Sequence, residues 1–336
     1  MVSDRDVGDG SDIFRCLEAC DGTERWNIRY PAPGRLDYGN SPRATPLIHH
    51  GRVYLFGAFG TLTCVGLGDG KIVWRRELQR EFPPAEKLPW GLASSPSIVD
   101  GRLIVQASGR LATLLALDPA TGRTLWQSAG DGPAFASFVT ATFGGRKQLI
   151  GYDTKSLGGW DPANGERLWK LVPPQSDDFN VPTPLVLGDG LIVVSENNGT
   201  RRYKFDDAGK IIAKPEAEHF DLAPDTHTPV IVDGKLFGIW GRLFCLDVVS
   251  LKELYAADDD AFGDYTSLIG SDDRVLVLTQ SGELLLLDGT TDRLKVLSRL
   301  AIFPDATGVF AHPALVGDRL YVRGNEEVVC LRLTAE

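Results

Sequence analysis

The chain has 336 residues, of which 43% are hydrophobic and 24% charged, and its formal net charge is −10. That acidic balance argues against a nucleic-acid partner, because binding a polyanion needs a basic surface to displace its counterions. No apolar run reaches the length that spans a bilayer, so no transmembrane segment is expected.

The amino terminus, MVSDRDVGDGSD, is acidic and lacks the apolar stretch of a secretory signal. Met1 to Ser3 read as the end of one strand, Phe14 to Leu17 as a second and Arg25 to Ile28 as a third. The sequence as given therefore begins partway through a repeat. Asp4, Asp6, Asp9 and Asp12 are spaced like the carboxylates of a calcium loop. However, Gly8 and Asp9 stand where an EF-hand loop has Asp or Asn and then Gly. A solvated acidic hairpin is expected here, with no metal.

The repeat is clearest from Ser94 to Trp126, SSPSIVDGRLIVQASGRLATLLALDPATGRTLW. Short β-type runs separated by Asp-Gly and Thr-Gly turns, with no helical period, predict a four-stranded antiparallel meander, strands a to d. Gly22, Gly70, Gly122 and Gly165 are each followed four residues later by Trp26, Trp74, Trp126 and Trp169. The slot continues as Ala213, Tyr255 and Val296, a step of about 45 residues, which is the period of a β-propeller. Eight c strands, ending near Leu17, Val65, Leu117, Trp160, Phe205, Leu246, Leu287 and Leu331, stand against only seven d strands. The expected fold is all-β: one domain over 1–336, an eight-bladed propeller of four-stranded blades with incomplete first and last blades. The alternative of seven blades leaves Phe14 to Leu17 without a place.

Loops from strand d to the next strand a are long and varied, among them Tyr30 to Pro46 and Gln79 to Ser95. Loops on a rigid scaffold are where function concentrates. Residues at the entries of the inner strands should gather at a channel mouth. The candidates there are Asp37, Tyr38, Arg43, Trp90, Asp178, Asn180, Asp225, His227, Asp264, Tyr265 and His312. Their aromatic, acidic, amide and imidazole groups suit a sugar, an alcohol or an extended peptide. Trp90, outside the repeat slot, is the candidate for stacking on a ligand. The blander alternative is that these side chains plug the channel and cap turns. His49 and His50 occupy an a to b turn, and His219 an acidic loop with Glu216, Glu218 and Asp221.

Cys16, Cys64, Cys245 and Cys330 share one c-strand slot with Ala116 and Leu286, so they read as small buried hydrophobes. Cys16 and Cys20 alone are close enough in sequence to suggest a disulfide. The chain carries no haem-attachment, serine-hydrolase, P-loop or dinucleotide fingerprint.

The repeat ending xLxALDxxTGxxxW resembles the tryptophan docking motif of pyrroloquinoline-quinone (PQQ) repeat propellers. That superfamily includes quinoprotein alcohol dehydrogenases and the lipoprotein scaffold of the outer-membrane barrel-assembly machine. GNSPRATPLIHHGRVYLFGAFG (Gly39 to Gly60), HTPVIVDGKLFGIWGRLFCLD (His227 to Asp247) and AHPALVGDRLYVRGNEEVVCLRL (Ala311 to Leu333) are similar to bacterial PQQ-like propeller proteins. The resemblance implies that Trp26, Trp74, Trp126 and Trp169 pack between adjacent blades, and that the protein is periplasmic or otherwise extracytoplasmic if the amino terminus as given is truncated; from that terminus alone the location is unknown. Dehydrogenases of the superfamily are longer and hold the quinone against a vicinal Cys-Cys disulfide with calcium. This sequence has no adjacent cysteines, so neither PQQ nor calcium is expected. The expected function is a noncatalytic scaffold for a protein or glycan partner. The alternative is an enzyme acting on a carbohydrate or alcohol, with His227 or His312 as general base oriented by Asp178, Asp225 or Asp264.

Overall fold

A computed structural model describes residues 1–39, 41–263, 265–303 and 308–333. The repeat period is realised as eight antiparallel sheets, each a meander in which neighbours in sequence are neighbours in space. The protein has an eight-bladed β-propeller fold, with blades at 2–31, 47–77, 97–128, 139–171, 185–219, 230–257, 266–301 and 314–332. Among the described residues the first and last sheets have three strands and the other six have four, as the strand count predicts. Helix among the described residues is a single turn, Leu78–Glu81. Contacts divide the chain into two compact units, Met1–Asp189 with Phe205–Ile212, and Gly190–Lys204 with Ala213–Glu336.

Burial follows strand position. In the third blade the c strand Ala112–Leu117 is buried throughout, while the d strand Thr124–Ser128 alternates exposed and half-buried residues. Strands buried on both faces carry continuous apolar runs, and a solvated outer strand alternates. The cores accordingly lie between the b and c strands of successive blades. One in the first unit gathers Tyr54, Phe56, Leu62, Leu103, Val105 and Leu115; one in the second gathers Phe237, Ile239, Leu243, Val275, Val277 and Leu285. Each such side chain contributes about 1.5–3 kcal/mol of burial.

The docking slot works through small residues. Trp26, Trp74 and Trp126 donate their Nε1–H to the carbonyls of Leu67, Pro119 and Pro162 at 2.9, 3.1 and 3.1 Å. Each indole lies on the turn glycine of the following blade. A Cβ on Gly70, Gly122 or Gly165 would meet it at 2.7, 2.7 and 2.5 Å, and these glycines have φ of +66, +71 and +76°. Glycine is thus needed both for left-handed backbone and for the close approach. Trp169 also packs on the next blade, meeting Phe205 edge to face at 5.6 Å, but its N–H is bonded differently: Gln148, fully buried, accepts its Nε1–H at 2.6 Å and donates to the Gly209 carbonyl at 2.6 Å. An amide relays the hydrogen bond that the other three indoles make directly to a carbonyl.

The cysteine slot is the strand position across from the docking residue. Cys16 pairs Trp26, Cys64 pairs Trp74, Ala116 pairs Trp126, Gly159 pairs Trp169 and Cys245 pairs Tyr255, each beside a register shift. A Cβ on Gly159 would lie 2.2 Å from the indole of Trp169, so in that blade the slot takes glycine. Cys16, Cys64 and Cys245 are buried as expected. Cys330 is exposed, contrary to expectation, because among the described residues it pairs only Tyr321 and no d strand covers it. The Cys16–Cys20 disulfide is also corrected: both thiols are free, with Cys16 inside the blade and Cys20 exposed beyond its end.

Candidate functional site

In the first unit, two d to a loops enclose an open cleft of about 550 Å³ lined by Asp9, Arg35, Leu36, Asp37, Tyr38, Gly39 and Trp90. Arg43 fixes its walls. Its Nε donates to the Trp90 carbonyl at 2.7 Å, and its Nη2 donates to the carbonyls of Asp37 and Gly39 at 2.7 and 2.9 Å. The Asp37 N–H donates to the Pro89 carbonyl at 2.8 Å, completing the tie between the loops. Between the two carbonyls held by Arg43, Tyr38 has φ +62° and its side chain is 77% exposed. A non-glycine residue in that region carries strain, which the flanking bonds hold in place.

Trp90 meets Phe135 and Phe179 edge to face, at centroid distances of 5.3 and 4.7 Å. These ring partners come from two further loops, so the indole is held by contacts outside its own segment. Among the described residues, neither the Arg35 guanidinium nor the Asp37 carboxylate has a partner. Asp37, Tyr38 and Trp90 thus line one cleft, whose loops Arg43 ties together. Arg35, Phe135 and Phe179 were not singled out in the sequence, although an Arg-x-Asp pair beside an exposed tyrosine was there to be read.

Asn180 and Asp178 are not among the residues that line this cleft. Asn180, buried with φ +54°, accepts the Ala136 N–H at 2.8 Å and donates from Nδ2 to the Thr154 carbonyl at 3.4 Å. Asp178 is also buried.

In the second unit, His227 is buried, and its Nε2 accepts the Ile239 N–H at 3.2 Å. Its proton therefore sits on Nδ1, 3.5 Å from Thr266 Oγ. Burial, reinforced by nearby His312, lowers its pKa to about 3, so the ring is neutral. His312 places Nδ1 3.0 Å from the Pro313 carbonyl and Nε2 3.2 Å from that of Leu268. Among the described residues no carboxylate bonds either imidazole. Asp225 is half-buried, Asp264 lies outside the described residues, and Tyr265 packs edge to face on Phe310 at 5.2 Å. His219 belongs to a short strand, Ala217–His219, rather than to a loop.

The amino-terminal carboxylates are engaged by guanidinium groups. Arg5 donates from Nε to Asp9 and from Nη1 to Asp12, both at 2.8 Å, and a third bond reaches the Ala32 carbonyl at 3.1 Å. Asp6 pairs Arg29 at 2.5 Å and accepts the Gly10 N–H at 2.7 Å, while Asp4 lies 3.6 Å from Arg15. No set of three metal-ligating side chains occurs among the described residues. Asp12 is fully buried, and desolvation outweighs the Arg5 charge, raising its pKa to about 6.

With the geometry in hand, comparison with known proteins places the repeat. The family model described as outer membrane protein assembly factor BamB matches residues 9–252. The chain belongs to this family. BamB of Shewanella oneidensis is 23% identical over 291 residues, covering 81% of this chain and 66% of that protein. The BamB-family chain thus spans just under two thirds of that relative. The crystal structure of BamB from Moraxella catarrhalis superposes with a TM-score of 0.62 at 17% identity, covering 96% of this chain and 88% of that one. A europium-containing methanol dehydrogenase gives 0.65 at 12% identity, covering 93% and 78%. These likenesses confirm the PQQ-like propeller fold, which carries both an assembly factor and an oxidoreductase.

Proposed function

We propose that this BamB-family propeller is a noncatalytic scaffold that binds a protein partner outside the cytoplasm, in assembly of outer-membrane proteins. The observation that carries this reading is the family match over residues 9–252. The state of the imidazoles supports it. A general base needs a lone pair within reach of a substrate proton, whereas His227 spends its acceptor on Ile239 and is buried. The donor set does not fit PQQ either: the five cysteines are free and no two are adjacent. The partner surface consists of the d to a loops, which expose Tyr38 and Phe179 in one unit and Phe220 and Phe310 in the other. Exposed aromatic side chains of this kind anchor protein interfaces.

The test places a photoreactive amino acid at Phe179 and, separately, at Phe310 in the native bacterium. The expected result is a discrete cross-link to a component of the outer-membrane assembly apparatus, with fewer outer-membrane β-barrel proteins when the gene is deleted. Unchanged β-barrel levels on deletion, with no such cross-link, would overturn the reading.

A further inference from the structure

The Trp90 cleft has features that a protein-docking surface does not require. Arg43 donates three hydrogen bonds to backbone carbonyls of two loops, and these bonds shape the cleft. Tyr38 is held at φ +62° with its ring 77% exposed. Arg35 and Asp37, two residues apart, line the same cleft without partners among the described residues. Strain and clamping at one place, with charged groups left unsatisfied beside an aromatic wall, mark a preorganised ligand site.

The lining selects the ligand's chemistry. A free anion would meet Arg35 but also Asp9 and Asp37, and a cation would meet the reverse conflict. Of the seven lining residues Leu36 alone is aliphatic, and it is buried, so the cleft offers no pocket for an aliphatic ligand. An extended peptide would need a groove with side-chain pockets at alternate positions. A neutral polyhydroxylated ring satisfies all the groups at once. Its C–H face lies on an aromatic ring, and its hydroxyls both donate to a carboxylate and accept from a guanidinium. The cleft, at about 550 Å³, is the size of a site for a small ligand.

We propose that this cleft binds a neutral carbohydrate of one or two hexopyranose rings, with Trp90 and Tyr38 supplying aromatic faces and Arg35 and Asp37 bonding ring hydroxyls. The proposal rests on the cleft alone and stands or falls separately from the scaffold reading. It also gives the glycan half of the sequence expectation a location.

The experiment titrates the full chain by calorimetry with cellobiose, maltose and N,N′-diacetylchitobiose. At least one should bind. Trp90→Ala should weaken that disaccharide about tenfold or more. Because Trp90→Ala also removes packing on Phe135 and Phe179, Asp37→Asn and Arg35→Gln are measured beside it. Neither side chain has a described partner, so both variants should keep the melting temperature while weakening the sugar several-fold. Absence of binding by all three disaccharides overturns the proposal, as does binding that survives Asp37→Asn and Arg35→Gln unchanged.

Discussion

The Trp90 cleft of one unit and the imidazole pair of the other both grow from d to a loops, yet they treat polar groups in opposite ways. Around Trp90 the backbone is satisfied by Arg43, while Arg35 and Asp37 face outward without described partners. Around His227 the side chain itself serves the backbone, accepting the Ile239 N–H from inside the protein. A polar residue near a strand entry is thus available for a ligand only when some other group has already served the nearby main chain. Residue type does not separate the two cases; hydrogen-bond accounting does.

Breaking the closed side should cost most. His227→Ala leaves the Ile239 N–H buried without an acceptor and opens a cavity, for a loss of about 3 kcal/mol. Denaturant unfolding measures it, and a change under about 1 kcal/mol would mean that the imidazole is not a structural acceptor. Arg43→Ala should cost about 2 kcal/mol, since it removes charge-assisted bonds to three carbonyls that water can partly replace. Its sharper signature is local: amide exchange should rise at Tyr38 and Gly39, while the amides of Phe237 and Ile239 keep their protection.

The propeller was legible because its determinants are local and repeated. Trp26, Trp74 and Trp126 sit at one offset from a glycine, and Gly70, Gly122 and Gly165 are each required by contact with the indole of the preceding blade. The Trp169 bridge was not legible, because Gln148 comes from another strand and nothing in its local sequence sets it apart. The exposure of Cys330 was missed for a related reason: its slot is buried only where a d strand crosses it. Of the candidate site residues, Asp37, Tyr38 and Trp90 stood out in the sequence as chemistry-bearing loop residues, and they line one cleft. That His227 faces a main-chain N–H, and that Asn180 serves as a buried loop tie, depends on contacts between segments far apart in sequence.

Acid distinguishes the two units more finely. His227 is lowered to about 3 in the fold, from an ordinary 6.5, so the unfolded chain takes up a proton there first. Its contribution is complete above pH 6.5 and falls by about 1.4 kcal/mol per unit as the pH drops toward 3. Asp12 acts in the opposite sense. Raised to about 6 from 3.8, it binds its proton more readily in the fold, so its contribution grows as the pH falls from about 6 to 4. Between pH 6 and 4 the two should largely offset. Unfolding curves across that window should become steeper toward acid in Asp12→Asn and should reverse slope in His227→Gln. Parallel curves for both variants would mean that neither group titrates as its burial dictates.

The smallest effect is the most discriminating for the open side. Asp37→Asn changes a carboxylate that has no described partner, so stability should move by less than about 0.5 kcal/mol at any pH. A larger loss would place the Asp37 carboxylate among the groups that hold the fold, like His227, and the cleft would then be a product of loop packing. If stability is unchanged, the carboxylate remains a charge held on a clamped loop beside two aromatic rings, and the backbone bonds of Arg43 do the structural part of the task. That division, with Arg43 holding the loops and Asp37 facing the cleft, is what a binding site needs in order to keep its geometry while its contacts change.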